Sequence, residues 1–93
     1  MTYLIQYLPP RKGFARDATA AEQSVVNQHA AYLSDLHAKG RVLLAGRTED
    51  GEFGIALLDT SDEDEARRIL TSDPAVQAGV FRANLYPFRR SIG

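Results

Sequence analysis

The chain has 93 residues, 44% hydrophobic and 25% charged, with a formal net charge of -1 and no cysteine. This length supports one domain, and folding removes only roughly 60 to 65% of the unfolded surface from water, so the core is thin unless a second chain contributes. The balanced, scattered charges argue against a nucleic-acid or membrane partner, and the absence of cysteine excludes disulfides, thiolate nucleophiles and thiolate metal sites. No apolar run approaches membrane-spanning length and no signal-peptide pattern follows Met1, so a cytoplasmic location is expected.

Thr2 to Leu8 is short, rich in aromatic and branched residues, and stopped by Pro9-Pro10, which predicts a first strand. Tyr3, Ile5 and Tyr7 share one of its faces, and Leu4, Gln6 and Leu8 share the other. Arg11 to Asp17 contains Gly13 and mixed charges without an apolar period and reads as a loop. Thr19 with Glu22 three residues later has the form of a capping box, opening a helix from about Ala20 to Lys39 that stops at Gly40. Along that helix His29 projects near the middle of the apolar stripe of Val26, Ala30, Leu33 and Leu36, so a titratable ring is aimed at the core.

Arg41 to Gly46 and Phe53 to Asp59 read as the second and third strands, joined through Thr48-Glu49-Asp50-Gly51. Asp50-Gly51 readily supplies the positive φ angles of a tight hairpin, so these strands are expected to pair antiparallel. A second helix is predicted from Asp62 to about Leu70, with acidic residues at the positive end of its dipole and Ala66, Ile69 and Leu70 on its buried side. Asp73-Pro74 then opens a short helix that Gly79 can close. A last strand runs from Val80 to Tyr86, and the tail from Phe88 to Gly93 is expected to be loosely held.

The order β-α-β-β-α-β is that of the ferredoxin-like α+β fold, a four-stranded antiparallel sheet with two helices on one face. Its strands nevertheless carry apolar residues on both faces: Leu4 and Leu8 oppose Tyr3, Ile5 and Tyr7, while Ala56 and Leu58 oppose Phe53, Ile55 and Leu57. The face without helices would expose more apolar area than monomers normally tolerate, which predicts a homodimer packed sheet against sheet.

Three stretches carry a resemblance to a known family: His29 to Gly46 (HAAYLSDLHAKGRVLLAG), Ser61 to Leu70 (SDEDEARRIL) and Ser72 to Phe81 (SDPAVQAGVF). In order and spacing they resemble the YCII-related (YciI-like) proteins, whose subunits form dimeric α+β barrels. The resemblance spans nearly the whole chain. It implies that His29 and Asp73 form an active-site dyad. The sequence departs from the family pattern at Arg47, where Pro usually follows Ala-Gly, and at Ala75, where an aromatic residue usually follows Asp-Pro.

The chemistry of an imidazole-carboxylate pair follows from its parts. The carboxylate fixes one ring nitrogen as a donor and leaves the other free to exchange a proton with a bound small molecule. That suits isomerisation, lactone chemistry or elimination from a small organic acid. No G-x-S-x-G elbow or cysteine supports a covalent acyl intermediate. Arg47, Tyr7 and Tyr32 are candidate substrate contacts, although a solvated charge and core or dimer packing account for the same residue types. His29 can equally be a core histidine bonded to a carbonyl, and Asp73 a plain helix cap. His37, near a helix end, is assigned no chemistry. No metal motif is present, and no cofactor is expected. Two readings stand: a small acid/base enzyme using His29 and Asp73, and a non-catalytic dimeric module that binds a small ligand or serves as an accessory subunit.

Overall fold

The computed structural model describes residues 1–93. Its elements are β1 (Thr2–Leu8), α1 (Phe14–Asp17), α2 (Ala20–Ala38), β2 (Val42–Arg47), β3 (Gly54–Asp59), α3 (Glu63–Thr71), α4 (Pro74–Gln77) and β4 (Arg82–Pro87). The four strands form one sheet in the order β2-β3-β1-β4, with every neighbouring pair antiparallel. This is the ferredoxin-like α+β arrangement expected from the element order.

Local chemistry accounts for the element boundaries. The capping box is complete, because Thr19 Oγ1 accepts from the Glu22 N–H and the Glu22 carboxylate accepts from the Thr19 N–H. The α2 helix ends with Gly40 at φ +77°, a left-handed conformation that glycine adopts without a Cβ penalty. Asp62 caps α3 by accepting from the Glu65 N–H, and three acidic residues occupy its first turn.

Helix α1 differs from the loop expected over Arg11 to Asp17. It is one turn, too short to show an apolar period, and it is anchored by a single buried side chain, Phe14. Phe14 packs edge-on against Phe81, and the Arg11 guanidinium lies over its other side while bonding both Asp17 and Glu22. The last strand begins at Arg82 instead of Val80, because the Val80 and Phe81 N–H groups both donate to the Ala75 carbonyl. The tail is tied at its start, where the Phe88 N–H donates to the Thr2 carbonyl, and Ile92 is almost fully exposed.

Strand register sorts the side chains into two faces. Under the helices lie the cross-strand rows Val42–Leu58–Tyr3–Pro87, Ala45–Ala56–Ile5–Leu85 and Arg47–Gly54–Tyr7–Ala83. The first two rows meet Leu33, Ala66 and Ile69 to make the core. On the opposite face Leu44, Leu57, Leu4 and Tyr86 run as one row across all four strands, with Leu44 and Tyr86 about half exposed. A register irregularity between Val42 and Leu44 leaves Leu43 as an extra residue and lets β2 change which face it presents.

Candidate functional site

The third inner row departs from the close packing of the other two. Tyr7 is flanked there by Gly54 and Ala83, so little side-chain bulk fills the space between this part of the sheet and α2. A cavity of about 710 Å³ lies in that space, and Tyr7, Phe14, His29, Leu33, Arg47 and Phe81 are among its lining residues. Helix α2 supplies one wall and the β2–β3 hairpin another, while α1 reaches over from the β1 side with Phe14 and Ala15.

His29 lines this cavity and meets Asp73. Its Nδ1 lies 2.8 Å from Asp73 Oδ2 and 3.0 Å from Oδ1. A carboxylate can only accept, so Nδ1 carries the proton in this bond and the neutral ring presents Nε2 as an acceptor. No protein group bonds Nε2, and it is not among the sealed-off polar atoms, so it is open on the cavity side. The ring is held edge-on by Tyr7 at 4.8 Å and Phe81 at 5.2 Å between centroids.

Asp73 is fully buried, which is costly for a carboxylate without partners. It has two. Besides the imidazole, its Oδ1 accepts from the Ala75 N–H at 2.9 Å, capping α4, and Pro74 occupies the first turn of that helix. Capping and imidazole contact therefore coexist on one side chain. Ala75 is also fully buried, and Phe81 and Tyr7 supply the aromatic surface around the ring.

Tyr7 lies in the cavity floor with its hydroxyl sealed from solvent and without a hydrogen-bond partner. Burial pushes its phenol well above the ordinary tyrosine range, and the nearby Asp73 carboxylate opposes ionisation further. The hydroxyl lies close enough to Asp73 for that carboxylate to act on it through charge and a weak polar contact, but no hydrogen bond of good geometry joins them. The other candidate contacts are placed differently. Arg47 lines the cavity, and its Nη1 donates to the Thr48 and Glu49 carbonyls, each at 3.0 Å, bracing the hairpin. Tyr32 is outside the lining; its hydroxyl donates to the Ile69 carbonyl at 2.8 Å and joins α2 to α3. Burial raises the Tyr32 phenol first, with Asp73 contributing.

His37 also lines the cavity, two turns along α2 from His29. Its place near the helix end gave no reason to assign it chemistry; its spacing of eight residues from His29 on one helix is the signal that could have placed it here. Phe14 escaped notice because one apolar residue in a charged segment has no period. No group of three or more His, Cys, Asp or Glu side chains is placed to hold a metal ion.

A family model described as the YCII-related domain matches residues 1–89. The chain belongs to the YCII-related family. The three stretches that resembled the family lie on α2 and β2, on α3, and on the α4 region. No functionally curated protein matches this YCII-related chain by sequence. Among solved structures it is similar to the 5-chloro-2-hydroxyhydroquinone dehydrochlorinase TftG from Burkholderia phenoliruptrix AC1100, in complex with 2,5-dihydroxybenzoquinone. That match has 22% identity and a TM-score of 0.66, covering 98% of this chain and 96% of the other. A second similar structure is SnoaB, a cofactor-independent oxygenase from Streptomyces nogalater, with 18% identity and a TM-score of 0.48, covering 98% and 94%. At these identities the likeness to TftG shows a shared fold. No helix of this YCII-related chain is long and apolar enough to cross a membrane.

Proposed function

We propose that this YCII-related protein is an enzyme that performs acid/base chemistry on a small organic molecule, with His29 as the proton carrier and Asp73 as the residue that orients it. The observation that carries this reading is the division of labour on one ring: Nδ1 is tied to a fully buried carboxylate, and Nε2 is left without a protein partner beside the cavity. A fully enclosed histidine in a purely structural role would have both nitrogens satisfied, by protein groups or ordered water. The aromatic and aliphatic walls favour a largely apolar substrate, and the fixed carboxylate stabilises the imidazolium formed when Nε2 takes a proton.

Isomerisation, lactone chemistry and elimination all use such a group. The dehydrochlorination named for TftG is an elimination. In that class Nε2 receives the proton while the leaving group departs with its bonding pair. This makes 5-chloro-2-hydroxyhydroquinone a first assay compound, with chloride release as the readout, beside a panel of small lactones and enolisable ketones. For whichever compound is turned over, His29→Ala lowers kcat by about 10²- to 10⁴-fold while leaving the circular dichroism spectrum unchanged. Turnover retained in that variant would overturn the assignment.

The protein acts as a homodimer through the sheet face that lacks helices. The row Leu44–Leu57–Leu4–Tyr86 is apolar and carries no charge, so a second copy can meet it without like-charge repulsion.

A further inference from the structure

Both histidines of the chain line the same cavity, and both are tied back in the same way. His37 Nδ1 lies 2.8 Å from the Val42 carbonyl oxygen. A carbonyl only accepts, so Nδ1 carries the proton and the neutral ring presents Nε2 as an acceptor, as at His29. His37 is exposed, and no other protein hydrogen bond or ion pair engages its ring. The Val42 carbonyl comes just before the irregularity at Leu43, so the bend of β2 supplies the anchor for the imidazole.

The intervening residues make this one continuous site. Residues 29, 33 and 37 are spaced by four on one helix, each step turning about 40° around the axis, and all three line the cavity. Leu33 is buried and lies midway between the two histidines along α2, so the wall between them is apolar. Over eight residues the helix rises about 12 Å, which sets the axial separation of the two histidine Cα atoms. Ser34, one turn before His37, adds a hydroxyl to the same end of the cavity.

We infer that His37 and Ser34 form a second polar pole of the cavity, which binds a hydroxyl at the far end of a ligand whose other end lies at His29. The ligand class is an elongated molecule, apolar in its middle and hydroxylated at both ends. This rests on the reading of His29 as the reacting end and adds a length and a far-end chemistry to it. His37 is here a binding residue: it fixes which molecules enter in register and takes no part in proton transfer at the reacting atom.

The test uses two rigid probes that differ by one hydroxyl, 4-hydroxybiphenyl and 4,4′-dihydroxybiphenyl, titrated into the full chain with ¹⁵N-labelled histidine. The diol is expected to bind about tenfold more tightly, the value of one added hydrogen bond, and to shift the ring nitrogens of both histidines. In His37→Ala the tenfold preference disappears while the His29 shift persists. Because that variant also loses the tie to Val42, Ser34→Ala serves as the second variant, keeps the tie and narrows the preference. Equal affinity for the two probes, no binding of the diol, or a preference that survives in His37→Ala overturns the second pole. If His29 responds and His37 does not, the second pole fails alone. If His37 responds and His29 does not, the reading of His29 as the reacting end fails and the two-ended ligand fails with it.

Discussion

Two side chains near the site are instructive because they titrate far from their ordinary values for opposite reasons. The Tyr7 phenol is raised above 10.0 by burial and then by Asp73, so the folded state resists its ionisation. A group raised in the folded state contributes stability that is present below its unfolded value, so stability falls as pH rises beyond 10.0. Because the hydroxyl has no partner, Tyr7→Phe removes a desolvated donor without breaking a bond. That variant should gain up to ~1 kcal/mol in denaturant unfolding and lose the late-titrating component of the tyrosine absorbance. Glu22 behaves in the opposite way. The Arg11 guanidinium, helped by the Thr19 N–H, holds its carboxyl down at about 2, against an ordinary value of 4.5. Its contribution is therefore present above pH 4.5 and is lost as pH falls toward about 2. A melting temperature higher than that of Glu22→Gln is expected near neutrality, with the difference vanishing across that acid window. An unchanged difference at low pH would show that the Arg11 contact does not act through charge.

Between elements, α1 and the β2–β3 hairpin approach each other closely beside the cavity. Gly51 stands at φ +74°, and a Cβ placed on it would lie 2.7 Å from the Ala15 Cβ. Gly51→Ala therefore meets two costs, roughly 1 to 2 kcal/mol of backbone strain and a clash that displaces α1. In a denaturant double-mutant cycle, Ala15→Gly in the same chain should recover the clash and leave the strain. The hairpin glycine, the capping box at Thr19 and the cap at Asp73 were all legible in the sequence, since each acts through residues a few positions apart, whereas Asp62, expected as the first helical residue, is in fact the cap. What joins distant segments was not legible in that way. Helix α1 has one anchoring side chain and no period, and the irregularity at Leu43 arises from strand pairing. The tie from His37 to Val42 depends on that irregularity. The meeting of His29 with Asp73 came only from family resemblance, because nothing local in either segment refers to the other.

For the whole molecule, a chain of this size gains from a second copy. Helices cover one face of the sheet, and the other carries an unbroken apolar row from Leu44 to Tyr86. Sedimentation of the wild-type chain at micromolar concentration should give a dimer, and Leu57→Asp, which places a charge in the middle of that row, should give a monomer. A wild-type monomer under those conditions would overturn the assembly. The order of the strands has a consequence for synthesis. Strand β1 is central and is made before both of its neighbours, β3 on one edge and β4 on the other. A nascent chain leaving the ribosome thus carries β1 with both edges open until β3 emerges and with one edge open until β4 follows, and His29 meets the Asp73 carboxylate only after 44 further residues are added. The sheet edge that β4 closes and the contact between His29 and Asp73 are therefore both completed late, by the same C-terminal third of the fold.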